Sequence, residues 1–186
     1  MPVDSETPAD PHDDAPVTAS KQTYPDRTLV AETVTINRPA GELYAFWRDF
    51  TNLVKVMDNV KSIEAIDDTR SHWIVKAPAG REVSWDSVVT RDVAGEEITW
   101  QSAPGADVAN SGRIEFIDAG DRGTVVRAVI SYEAPGGTMG QFVAKLFQRE
   151  PRIQARRDLR RFKQLMETGE IATAAWTARQ RKDEQA

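Results

Sequence analysis

Three side chains in this sequence have the makings of an acid–base site: Glu32, Arg81 and Tyr132. Glu32 lies in step with Val34 and Ile36, so it shares the apolar side of a period-two run. A glutamate held among apolar groups has its carboxyl raised by desolvation, and it then gives or takes protons near neutrality. Tyr132 has the parity of Val126, Ala128 and Ile130, and its phenol is suited to polarising a carbonyl. Arg81 flanks a Pro-Ala-Gly break at one end of the same set of runs. Aldol cyclisation and dehydration need a donor on a carbonyl and a base for an α-proton, and these residues would supply both. They would serve equally as polar anchors in a pocket that only binds, or as solvated residues at strand ends.

Around them stands an aromatic set. Trp73, Trp85 and Trp100 fall on three separate runs, each on a face shared with apolar neighbours. Such residues make ordinary core, or a flat wall for an apolar ligand with indole N–H donors turned to a carbonyl. Phe116 has the parity to extend that wall. Ser87, Ser102 and Asn110 fall on the same inner parity and are candidate polar contacts. Trp47, on a helical stripe, reads as core.

Other chemistries are poorly supplied. The sequence has no cysteine, which excludes disulfides, thiolate metal sites and cysteine nucleophiles. His12 lies in an acidic, proline-rich stretch, and His72 has the opposite parity from Trp73 and so should face solvent. One foldable histidine is too few for a histidine-based metal site and poorly aimed for a serine triad. No metal and no cofactor is therefore expected. A formal net charge of -5 gives no general attraction to nucleic acid. No apolar run approaches the roughly 20 residues of a membrane helix. The start is acidic rather than basic-then-apolar, as a secretory signal would be. The expectation is a soluble, cytoplasmic protein.

The elements that must position these groups follow from periodicity. Residues 1–27 are rich in proline and acid and poor in large apolar side chains, so a disordered tail is expected. A strand through Val34 and Ile36 follows. Pro39 then opens a helix whose Leu43, Phe46, Trp47 and Phe50 share one face. Alternation predicts six further strands, over 60–67, 72–77, 82–92, 98–102, 108–118 and 124–133, separated by Gly, Pro and Asp turns. Short loops between successive strands mean an antiparallel meander. A long helix is expected from an N-cap at Thr138 to a stop at Gly169, with a kink near 147–150 ahead of Pro151. Residues 170–186, with Trp176, read as a second tail or a helix extension.

That order resembles the helix-grip fold of the START-like (SRPBCC) superfamily, and within it the bacterial polyketide cyclase/dehydrase-like branch. The resemblance covers about residues 28–169. It is carried by VTINRPA from Val34, LYAFWRDF from Leu43, Asn52-Leu53, Met57 and VKSIE from Val60. Supporting matches are 85–89, ITWQS from Ile98, GRIEF from Gly112, GTVV from Gly123 and DLRRFK from Asp158. The resemblance implies an α+β domain, with a curved seven-stranded antiparallel sheet wrapped on the terminal helix. It also implies an internal apolar cavity for a lipid, a quinone or a polyketide. Because the superfamily shares a cavity rather than a reaction, three functions stay open. The first is binding or transport of a hydrophobic small molecule. The second is a cyclase/dehydratase-type enzyme. The third is an interaction module with a vestigial pocket, using the terminal helix with Arg149, Arg152, Arg156, Arg157, Arg160, Arg161 and Lys163. That cationic set is a solvated face or a contact for anionic lipid headgroups.

Overall fold

The computed structural model describes residues 22–24, 27–133 and 151–172. The expected tails (apart from Gln22–Tyr24 and residues 170–172), the Thr138 cap and the kink at 147–150 lie outside the described residues.

Seven long strands form as the alternation requires: β2 (Arg27–Ile36), β3 (Val60–Ala65), β4 (Arg70–Lys76), β5 (Glu82–Val93), β6 (Glu97–Ser102), β7 (Ala109–Asp118) and β8 (Thr124–Glu133). An eighth, β1 (Gln22–Tyr24), pairs with the start of β2. It lies in the stretch expected to be disordered. It carries no apolar pattern of its own and extends the sheet through backbone pairing with Arg27, Thr28 and Leu29. All neighbours are antiparallel, in the order β1-β2-β8-β7-β6-β5-β4-β3. Register shifts between Val60 and Ser62, and between Val89 and Arg91, bend the β3–β6 half of the sheet.

Helix α1 (Ala40–Arg48) is capped at Pro39 and followed by a 3₁₀ turn, Phe50–Lys55. Two polar contacts fix it across the end of β5: Tyr44 Oη donates to Asp92 Oδ1 at 2.6 Å, and Arg48 Nε to Asp92 Oδ2 at 2.6 Å. Its Leu43 and Trp47 are thereby buried against the sheet.

Helix α2 (Pro151–Thr168) closes the concave side. Phe162, fully buried, packs on Phe46 and Trp47, with ring centroids 5.3 and 5.2 Å apart. The C-terminal half of α2 is clamped to the sheet. Arg38 donates from Nε to the Met166 carbonyl (2.8 Å) and from Nη2 to that of Glu167 (3.2 Å), a cation on the last turn where the helix dipole favours one. Lys163 Nζ reaches the Thr35 carbonyl, and the Asn37 N–H donates to Glu167. Gly169, at φ 77°, ends the helix as expected, its N–H returning to the Leu165 carbonyl.

Gly123, between β7 and β8, has a separate role. At φ 89° it sits so close to the end of β2 that a Cβ would lie 2.3 Å from the Ile36 carbonyl oxygen.

Candidate functional site

Between the concave face of the sheet and α2 lies a cavity of about 380 Å³. That is near the lower end of the range for pockets that take drug-sized ligands, about 300–1,000 Å³. Its wall comes from every layer. Trp47 of α1, with Phe50 and Leu53 of the 3₁₀ turn, closes one end; Trp73, Trp85 and Trp100 form the sheet side; and Gln154, Ala155, Asp158 and Leu159 of α2 form the roof.

Strand register explains the aromatic side. Trp73 and Trp85 are direct partners across β4 and β5, so both point to the concave face. Their rings are nearly parallel, with centroids 6.2 Å apart. Trp73 Nε1 donates to Ser71 Oγ at 2.9 Å, which fixes that indole. Trp100 faces Gly112 across β6 and β7. Its six-membered ring lies over that glycine so closely that a Cβ there would be 2.3 Å from an indole carbon. Gly112 is therefore a seat for the Trp100 ring.

The polar part of the lining centres on α2. Asp158 is only 8% exposed, and Gln154 Nε2, one turn earlier, donates to its Oδ1 at 2.7 Å. Burial pushes the Asp158 carboxyl up to about 7, and the Asp58 carboxylate adds to that rise. The Gln154 hydrogen bond and the Arg161 and Arg157 guanidiniums act the other way. Tyr132 of β8 lines the same cavity, and its phenol is raised above its ordinary value, first by burial and then by the charge of Asp158. The phenol thus senses the Asp158 charge across the cavity. A carboxyl that titrates near neutrality beside a phenol is a chemically competent proton donor and acceptor.

Trp73, Trp85, Trp100, Asn110 and Tyr132 all lie on the cavity wall, and so does Ser87. Trp47, taken from its stripe as core, is both: buried, and exposed to the cavity on one side. Four expected residues lie elsewhere. Glu32 has the inward parity and is buried, but β2 runs beneath α2, and there Arg156 Nε meets its carboxylate at 3.4 Å. Phe116 packs under α1, edge-on to Tyr44. Ser102 uses its hydroxyl to accept the Asn110 N–H at 3.0 Å. Arg81 is exposed beside the turn Pro78–Gly80.

Asp158 is the residue that sequence reasoning missed as a site residue. The signal was present: Gln154, Asp158 and Phe162 recur at intervals of four, so Asp158 lies one turn before a core phenylalanine. Of the basic residues expected to form an interaction face, Arg156, Arg161 and Lys163 hold α2 in place through Glu32, Asp58 and the Thr35 carbonyl. Arg157 and Arg160 remain exposed. Among the described residues, no group of three or more His, Asp or Glu is placed to hold a metal ion. No helix among them is long and apolar enough to cross a membrane.

A curved antiparallel sheet gripping a C-terminal helix around an apolar cavity is the helix-grip architecture of the START-like (SRPBCC) superfamily. The chain belongs to the family described as polyketide cyclase/dehydrase and lipid transport, whose model matches residues 36–160. Among solved structures it is similar to the Deinococcus radiodurans protein DR_A0006, at 42% identity and a TM-score of 0.63, over 77% of this chain and 100% of that one. The Thermus thermophilus protein TTHA0849 shares the fold at 24% identity and a TM-score of 0.62, over 73% of this chain and 94% of that one. So does the Zhui aromatase/cyclase of a Streptomyces species, at 14% identity and a TM-score of 0.58, over 78% and 99%. No curated protein matches the chain.

Proposed function

We propose that this domain, residues 28–169, binds a hydrophobic small molecule such as a lipid, quinone or polyketide in the cavity between sheet and α2, for transport or storage. The observation that carries this reading is the cavity itself, a volume of about 380 Å³ walled by four tryptophans and floored by aliphatic side chains. Apolar ligand surface buried there contributes roughly 25 cal/mol per Å² before the costs of ordering both partners. Native mass spectrometry of freshly purified protein tests it. The expected result is a co-purifying apolar molecule, or uptake of a neutral naphthalene dye with one-to-one stoichiometry. A chain that carries nothing and takes up no dye would overturn the proposal.

A second reading, an enzyme of the cyclase/dehydratase type, is favoured by one observation: Asp158 and Tyr132 face the same apolar space, with both groups raised above their ordinary values by burial. In that role Asp158 removes an α-proton, and the Tyr132 phenol donates a hydrogen bond to the enolising carbonyl. On a poly-β-keto model substrate, Asp158→Asn and Tyr132→Phe should each lower kcat by at least about a hundredfold, the usual scale for a general acid or base. Equal turnover in wild type and both variants would remove this reading and leave the binding one.

A further inference from the structure

We infer that the cavity is built for a hydrophobic amine, with the ligand's ammonium group ion-paired to Asp158 and its apolar body against Trp73, Trp85 and Trp100. The inference rests on the binding reading above and names the ligand class.

Asp158 is the starting point. A carboxylate that is 8% exposed is normally paired with a cation, because desolvation without a partner is costly. Asp158 has one donor, Gln154, and among the described residues no ion pair. Tyr132, on the same cavity from β8, is raised first by burial and then by the Asp158 charge, and a phenol supplies no positive charge. Arg161, one turn further along α2, is taken up by Asp58 at 2.6 Å and by the Lys55 carbonyl. Arg157 is exposed.

The remaining wall agrees. Lys76 is the one basic residue on the described lining, and it is an exposed rim residue whose Nζ donates to the Asp58 carbonyl. An anionic head, such as that of a fatty acid, would find no cation inside among the described residues and would meet Asp158. A cationic head gains an ion pair in a poorly solvated site. The indole faces add to that attraction, because an aromatic ring presents a negative face to a cation. The cavity's volume leaves room for an aryl or short alkyl body behind the head group.

The test uses the full chain and displacement of neutral N-phenylnaphthylamine by three matched competitors: naphthylethylamine, naphthylethanol and naphthylacetate. Near pH 8 the amine should compete at least about tenfold better than the alcohol, the worth of one charge-assisted contact, with the acetate weakest. The amine's advantage should shrink as pH falls below about 7, where Asp158 takes up its proton. The groups that tune this midpoint are Asp58 ahead of β3 and Gln154, Arg157 and Arg161 on α2, while Tyr132 from β8 shares the cavity. In Asp158→Asn the advantage should vanish while the alcohol's affinity is retained. An alcohol that matches or beats the amine on wild type overturns the inference. So does an amine advantage that survives in the variant, or dye binding that none of the three competitors displaces. If the dye itself does not bind, the binding reading falls and the inference with it. Should the variant fail to fold, the pH dependence of the amine's advantage on wild type decides alone, a flat profile refuting it.

Discussion

Replacing Asp158 by asparagine should make the protein more stable, and more so as pH rises. A carboxyl at about 7 in the fold, against 3.8 when unfolded, binds its proton more tightly in the native state. Stability from this group is therefore greatest at low pH and is lost as pH rises from about 4 to about 7. Moving the carboxyl between those values corresponds to about 4 kcal/mol at 1.36 kcal/mol per pH unit. That is a large share of the roughly 5–15 kcal/mol that holds a domain together. Asparagine keeps the oxygen that accepts from Gln154 and removes the charge. The variant should thus gain about 4 kcal/mol near pH 8 and less than half of that near pH 5. Urea melts followed by tryptophan fluorescence, on wild type and variant at several pH values, measure the difference directly. Taking a difference cancels carboxyls shifted the other way, such as Asp92 and Glu167. A gap that stays constant with pH, or a variant less stable than wild type near pH 8, would refute the account of a buried, uncompensated acid.

Two further substitutions test the geometry. Gly112→Ala places a methyl 2.3 Å from the Trp100 indole, so the ring must swing toward the cavity. Dye uptake should fall severalfold and stability by about 1–3 kcal/mol, the usual cost of overpacking. Unchanged uptake and an unshifted tryptophan spectrum would show that the ring does not depend on that seat. Gly123→Ala meets backbone rather than a side chain, at a φ of 89° that disfavours any Cβ. It should cost about 3 kcal/mol or more in a denaturant melt, and a loss below about 1 kcal/mol would contradict the close packing of β2 against that turn.

The strands were legible in the sequence because alternation is a local property. The run at 124–133 is β8 residue for residue, and 82–92 falls one residue short of β5. The tryptophans were legible for the same reason, since parity alone turns Trp73, Trp85 and Trp100 inward. What parity does not reveal is which inward residues meet open space and which meet the helix. Glu32 and Tyr132 lie on neighbouring strands with the same inward parity, yet β2 runs under α2 and Glu32 meets Arg156. Phe116 is inward too, but far enough along β7 to lie under α1. Asp158 escaped because a helix position is assigned to core, cavity or solvent only once the helix is rolled onto the sheet. β1 escaped because its pairing is with backbone and leaves no apolar pattern to read.

The clamp on α2 has a mechanical consequence. Arg38, Lys163 and Glu167 fix the helix at its C-terminal end, whereas the turn bearing Gln154 and Asp158 roofs a void. Asp158 and Met166 are eight positions apart, about 12 Å at 1.5 Å per residue. The helix is thus clamped at its C-terminal end and tied along the span over the cavity by the Arg156–Glu32 and Arg161–Asp58 pairs, and a guest in the cavity pushes on that span. How far that span yields is set by the clamp together with those two pairs, none of whose residues lines the cavity, so the fold separates the side chains that fix compliance from those that touch the guest.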